Sequence, residues 1–149
     1  MYLRGVAAEF FEAVWDTPLA HHLNARVGDS GSQSCFEYMT LYLVLLIWGP
    51  SFTKDGLSIA SDNTAALANA VSWKGRGGLN RISMEISWRK VRQGWRYQVA
   101  HLPAEGNTTA DALSRTSAPA GAQHKALPEQ TLKGAARREV PKSHLWVCS

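Results

Sequence analysis

Hydrophobic and polar residues form alternating strand-like and helix-like patterns up to about residue 115. Residues 57–61 (LSIAS) are a short apolar run typical of a buried strand, and the apolar residues of 65–71 recur at helical spacing. Residues 2–15 are predicted to form two short strands or one bent ribbon, with a helix over 7–14 as the alternative. The later helices are predicted over 34–48, 65–71, 79–93 and 107–114, and the later strands over 57–61 and 95–102. This order predicts an α/β fold.

The longest predicted helix begins near Ser34 and ends before Gly49-Pro50, a pair that stops helices. Ser34 and Glu37 match the capping box, in which the serine side chain bonds forward and the glutamate side chain bonds back. The apolar run over residues 39–48 is about half of the ~20 residues that a helix needs to span a bilayer. We therefore expect a buried core helix and no membrane partner.

Composition predicts one folded domain and a tail. Hydrophobic residues make up 45% of the 149 residues, enough to build a core. From residue 116 onward Ala, Gly, Pro, Lys and Arg follow without periodicity, so we expect a domain over residues 1–115 and a disordered basic tail over 116–149. The net charge of +4 permits a polyanionic partner. The two cysteines indicate no disulfide framework, and we expect an intracellular protein, in the cytoplasm or nucleus.

Three carboxylates stand at the starts of helices or the ends of strands: Glu37, Asp62 and Asp111. Each has a structural alternative, because Glu37 completes a capping box, Asp62 is a good N-cap, and Asp111 follows Thr108 in a second box-like arrangement. Gathered together, three carboxylates repel one another unless a divalent cation neutralises them. Oxygen ligands of this kind favour Mg²⁺ or Mn²⁺, which assist phosphodiester hydrolysis.

Three segments resemble ribonuclease H domains of retroelement reverse transcriptases, in particular those of DIRS-type and gypsy-like elements. Residues 61–67 (SDNTAAL) resemble the second-aspartate motif of that family. Residues 99–103 (VAHLP) followed by 107–115 (NTTADALSR) resemble its strand and final helix, whose signature is an Asn, then Ala-Asp, then Leu-Ser-Arg. Residues 34–48, with Glu37 near their start, are similar to the helix that carries the family's glutamate. Order and spacing agree over roughly residues 3–115.

The resemblance implies a ribonuclease H-like mixed sheet of five strands flanked by helices. It also implies hydrolysis of the RNA strand of an RNA–DNA hybrid with two Mg²⁺ (or Mn²⁺) ions. Carried over residue by residue, Glu37, Asp62 and Asp111 would be the catalytic metal ligands. The expected partners are an RNA–DNA hybrid, or another nucleic acid, and an upstream reverse transcriptase domain.

Two features of the family are missing from this sequence. The family has a fourth acid, an Asp on a central first strand, just before the segment that residues 5–9 resemble, so we expect an N-terminal truncation that removes that strand. Ala104 and Glu105 stand where many cellular relatives carry a His before the last Asp. The alternative function is therefore a catalytically inactive remnant that acts at most as a weak nucleic-acid-binding module.

Five further residues are candidates for contact with nucleic acid, and each has a structural alternative. Trp73, Lys74 and Arg76 would stack on bases or pair with phosphates, or else form a solvated linker with one buried indole. Asn63 would reach a sugar hydroxyl, or serve only in a turn. Arg115 would contact phosphate, or complement the carboxyl end of the last helix.

Overall fold

The computed structural model of the chain describes residues 2–3, 6–15, 17–52, 54–115 and 132–141. Its helices and strands are β1 (Tyr2–Leu3), β2 (Val6–Ala7), β3 (Glu9–Phe10), α1 (Thr17–His22), α2 (Gln33–Trp48), β4 (Leu57–Ser61), α3 (Thr64–Ser72), α4 (Gly78–Gln93), β5 (Tyr97–His101), α5 (Thr108–Ser114) and β6 (Ala136–Arg137). Short 3₁₀ helices cover Ser30–Ser32, Gly49–Phe52 and Ala104–Gly106. The fold is mixed α/β, as the sequence predicts.

The chain divides into two compact units, where the sequence predicts one domain over residues 1–115. The terminal unit comprises Met1–Val14 and Pro103–Val140, and the central unit comprises Trp15–Leu102 and Pro141–Ser149. In the terminal unit β1 pairs with β2 antiparallel and β3 pairs with β6 parallel. The central unit contains α1, α2, β4, α3, α4 and β5.

The sheet of the central unit consists of β4 and β5, which run parallel in the register Leu57–Tyr97 to Ser61–His101. Helices α3 and α4 form the crossover that returns the chain to the same end of the sheet. Within the described residues β4 pairs with β5 alone, so one edge of β4 has no strand beside it. Leu57 and Ile59 are buried, and their alternation explains the apolar pattern of this strand.

Helix α2 is the core of the central unit. Its buried side chains are Cys35, Phe36, Tyr38, Met39, Leu41, Tyr42, Leu43, Leu45 and Trp48. With its flanking 3₁₀ turns it covers Ser30–Phe52, which is long and apolar enough to cross a membrane, and 56% of its most apolar window is buried inside the fold. The core helices of globular proteins meet the same two criteria.

Polar contacts and close backbone packing fix α2 against α3 and α4. The fully buried hydroxyl of Tyr38 donates to the Asn69 carbonyl oxygen at 3.2 Å and lies 3.1 Å from Ser83 Oγ. At the start of α4, a Cβ on Gly78 would overlap the Leu23 carbonyl oxygen and lie 2.8 Å from Cys35 Sγ. Only glycine permits this approach.

The structure differs from the sequence prediction in two segments. Residues 17–22 form α1 in a segment where the sequence predicts neither a helix nor a strand. Residues 132–141 belong to the predicted disordered tail, but β6 forms there, because Ala136 N–H donates to Ala8 and Arg138 N–H donates to Phe10. Two ion pairs join the same segments, Arg137 with Glu12 at 3.2 Å and Arg138 with Glu9 at 3.6 Å. The rest of the predicted tail, 116–131 and 142–149, lies outside the described residues.

Candidate carboxylate site

Glu37 is held on the second turn of α2 by a local hydrogen bond. Gln33 Nε2 donates to Glu37 Oε1 at 2.8 Å, and the glutamate is half-buried. The predicted capping box is wrong, because α2 begins at Gln33, with Ser32 at the N-cap and no capping side-chain hydrogen bond. Because Ser34 lies inside the helix rather than at its N-cap, the Ser34 side chain does not cap the helix. The Glu37 carboxylate is therefore not used for capping.

Asp62 lies immediately after β4, beside the residue that caps α3. The N-cap is Asn63, whose Oδ1 accepts a hydrogen bond from Ala66 N–H at 2.8 Å. The alternative in which Asp62 is the cap is therefore wrong, and the adjacent residue takes that role. Asp62 is exposed, and among the described residues it has neither a hydrogen-bond nor a salt-bridge partner. Its carboxylate is available to a ligand at the carboxyl end of a parallel strand, where α/β folds place binding groups.

Glu37 and Asp62 interact electrostatically, although they come from different elements. Burial raises the pKa of the Glu37 carboxyl, the Gln33 hydrogen bond opposes this rise, and the negative charge of Asp62 adds to it. A cation bound by these carboxylates would offset the repulsion between them. The pair fits a divalent ion such as Mg²⁺ in ligand type, and it supplies part of an oxygen ligand set.

Asp111 lies on α5 of the terminal unit and is engaged locally. Arg115 Nε donates to Asp111 Oδ1 at 2.9 Å, with the two side chains 38% and 25% exposed. The N-cap of α5 is Asn107, so the box-like arrangement with Thr108 is absent. No group of three or more His, Cys, Asp or Glu side chains that could hold a metal occurs among the described residues. Of the three predicted ligands, Glu37 and Asp62 lie in the central unit, where the charge of Asp62 contributes to the raised pKa of Glu37, and Asp111 lies in the terminal unit.

The predicted nucleic-acid-binding residues have different surroundings. Trp73 caps the carboxyl end of α3 in the left-handed conformation (φ 54°), and its indole N–H donates to the Ala70 carbonyl oxygen at 2.9 Å. Lys74 and Arg76 are exposed in the following linker. The side chain of Asn63 is occupied by the cap, and that of Arg115 by Asp111.

Sequence reasoning missed a cluster of aromatic and cationic side chains formed by α4, β5 and Trp73 at the end of α3. Lys90 Nζ lies 4.9 Å from the ring centroid of Trp73 and 5.1 Å from that of Tyr97. The Arg92 guanidinium lies 5.0 Å from the ring centroid of Trp88. The single Trp88 followed by three basic residues within 89–92 is the sequence signal that points to this cluster.

Comparisons with protein-family models, curated proteins and solved structures found no match for this chain.

Proposed function

We propose that the chain is a ribonuclease H-like domain of a retroelement reverse transcriptase that hydrolyses the RNA strand of RNA–DNA hybrids with a divalent metal. The observation that carries the proposal is the placement of Glu37 on α2 and of Asp62 directly after β4 in the same unit, where burial first and the charge of Asp62 second raise the pKa of the glutamate. These carboxylates come from the two segments that resemble the family's glutamate helix and second-aspartate motif. Asp111, the third ligand that the resemblance implies, lies in the terminal unit.

The residues around Glu37 and Asp62 leave both carboxylates available to bind a metal ion. Gln33 fixes the orientation of Glu37, and the neighbouring Tyr38 anchors that turn of α2 in the core. Because Asn63 satisfies the start of α3, Asp62 remains free to bind an ion. A bound Mg²⁺ would supply Lewis-acid stabilisation of the phosphate oxygens and a water of lowered pKa. Glu37 and Asp62 would hold that ion, and Asp62 would present it to solvent and substrate.

The proposed fold is the ribonuclease H-like arrangement. Its support is the unit β4–α3–α4–β5, with two parallel strands joined by helices, in the order that the resemblance implies. The edge of β4 that faces no described strand is where a strand bearing the family's first Asp would pair. Such a strand would bring a further carboxylate to the end of the sheet that carries Asp62.

A second candidate is a nucleic-acid-binding module without hydrolytic activity. It is favoured by the ion pair that engages Asp111 with Arg115, and by the absence of a group of three metal-binding side chains from the described part of the chain. In this case the exposed basic residues of the Trp73–Arg76 linker would contribute salt-sensitive attraction to phosphates.

The two candidates are separated by cleavage of a labelled RNA–DNA hybrid in Mg²⁺ and in EDTA. We expect Mg²⁺-dependent cleavage by the full chain that is lost in Asp62→Asn and in Glu37→Gln. Asp55→Asn is the matched control, since it removes the same charge from an exposed turn before β4. Cleavage that survives in Asp62→Asn would refute the carboxylate proposal. Retention of the hybrid without cleavage by any variant would favour the binding module.

A further inference from the structure

An open groove of about 720 Å³ runs along the outer face of α4 in the central unit. It is lined by Trp73, Met84, Trp88, Val91 and Arg92, with two serines of α4 between them. Met84, Trp88 and Val91 follow one another at helical spacing, so the groove extends along the helix for about 10 Å. Met84 is 49% exposed and Val91 is 85% exposed. These apolar side chains have the accessibility of a binding surface rather than of a core.

Two aromatic rings of the groove each have a cationic side chain over them. The Arg92 guanidinium lies against Trp88, and Lys90 lies against Trp73, at the distances given above. Arg and Trp surfaces of this kind stack on planar, electron-rich ligands. Trp73 also holds a left-handed backbone conformation that glycine would adopt at lower cost. Its indole N–H donates to the Ala70 carbonyl oxygen, and Lys90 lies over its ring.

The charge around the groove selects an anionic ligand. Residues 73–96 contain seven basic side chains and a single acid: Lys74, Arg76, Arg81, Arg89, Lys90, Arg92, Arg96 and the acid Glu85. Glu85 is fully buried, and the nearby Arg89 pairs with it. Of the residues that line the groove, Arg92 is the charged one, and Lys90 lies over the ring of the lining residue Trp73, so the groove carries positive charge. A partner that offers planar apolar groups and regularly spaced negative charges matches both properties, which is the chemistry of an unpaired nucleic-acid strand.

We propose that this groove binds single-stranded nucleic acid, with bases stacked on Trp88 and Trp73 and phosphates held by Arg92 and its basic neighbours. The site is separate from the carboxylate pair and does not rest on the hydrolytic function. Base stacking on aromatic side chains tolerates any sequence, so no sequence preference is expected. RNA and DNA strands share the bases and phosphates that the groove would contact.

The test is fluorescence anisotropy of labelled oligo(U) and oligo(dT), each of about 12 nucleotides, which is within the common range for single-strand sites. We expect binding of one or both strands by the full chain. Trp88→Leu should weaken binding about tenfold, whereas Trp88→Phe, which keeps an aromatic face, should retain most of it. The thermal unfolding of both variants shows whether the loss is one of contact or of folding.

Arg92→Gln and Arg96→Gln form a matched pair, since both remove one positive charge and only Arg92 lines the groove. Arg92→Gln should lower the slope of log affinity against log salt concentration by about 0.7, the value for one phosphate contact on a single strand. Equal effects of the two arginine variants, or equal binding by Trp88→Leu and Trp88→Phe, would overturn the proposal. So would absence of binding, or dimerisation through this face in sedimentation.

Binding by Asp62→Asn should equal that of the unaltered chain. A chain that binds the oligonucleotides through Trp88 but cleaves no hybrid would contradict the hydrolytic proposal alone. A chain that cleaves the hybrid but binds neither oligonucleotide would contradict the groove alone.

Discussion

Replacement of Arg89 by methionine should destabilise the protein by about 3 kcal/mol. Glu85 is 0% exposed in the interface of α4 with α2, where it accepts hydrogen bonds from Tyr42 Oη at 3.3 Å and from Arg89 Nε at 3.4 Å. Removal of one member of a buried ion pair costs about 3–5 kcal/mol, because the remaining charge is left in a medium of low polarity. The long Arg89 contact and the remaining Tyr42 donor place the value at the lower end of that range.

Removal of both charges should restore most of this stability. In the double variant Glu85→Gln, Arg89→Met the glutamine still accepts from Tyr42, and no buried charge is left. We expect its free energy of unfolding to lie within about 1 kcal/mol of the unaltered chain, since replacement of a buried ion pair by neutral groups is often close to neutral. The two substitutions are therefore strongly non-additive.

Urea unfolding followed by circular dichroism measures each free energy of unfolding, and Arg81→Met on the exposed part of the same helix is the control. The control should change the free energy by less than about 0.5 kcal/mol. Arg89→Met should also lower the melting temperature by about 10 °C. A loss below about 0.5 kcal/mol in Arg89→Met, or a double variant that loses the sum of the single losses, would refute the reasoning.

Two further predictions concern the carboxylate site. Because burial and Asp62 raise the pKa of Glu37, the folded chain binds that proton more tightly than the unfolded chain, and stability falls as pH rises through the interval between the unfolded and folded pKa. Glu37→Gln should therefore be more stable than the unaltered chain at pH 7, with the gain vanishing toward pH 4; an equal gain at both pH values would contradict this cause. Asn63→Ala should cost about 1 kcal/mol through loss of the cap, and Asp62→Ala little; the reverse order in urea unfolding would restore Asp62 as the cap.

Periodicity was sufficient to predict the elements that pack in the central unit. The alternation that buries Leu57 and Ile59 places β4, and the helical spacing of apolar residues places α2, α3 and α4, because burial on one face imposes these periods. Helix α1 was beyond such reasoning, since its six residues are too few to show a period and contain Pro18. Pro18 is compatible with the first helical turn, where its missing N–H has no partner to lose. Strand β6 is held by backbone bonds and ion pairs rather than by an apolar face, so no hydrophobic pattern marks it.

The sequence predicts which residues belong to the candidate site, but it does not predict which of them cap helices or pair with one another. Asp62 and Asn63 are adjacent and both are good N-caps, so the sequence does not determine which one caps α3, and helix boundaries shift by a residue or two. Composition gave no reason to expect Glu85 in the core, because glutamate is seldom fully buried unless it is paired. Arg89 lies four residues later on the same helix, a spacing that the sequence shows, whereas Tyr42 lies on α2, so only the packing of the two helices reveals its hydrogen bond to Glu85.

The two faces of α4 make the proposed activities experimentally separable. Its inner face carries Ser83 and Glu85, which bond to Tyr38 and Tyr42 of α2 and so hold the helix that presents Glu37. Its outer face carries Met84, Trp88, Val91 and Arg92, which line the groove. Substitutions on the inner face should therefore reduce stability, and with it both cleavage and strand binding. Substitutions on the outer face should reduce strand binding alone, and substitutions of the carboxylates should reduce cleavage alone. Variants of the two faces of α4, together with variants of Glu37 and Asp62, thus test whether binding and hydrolysis are independent properties of the same central unit.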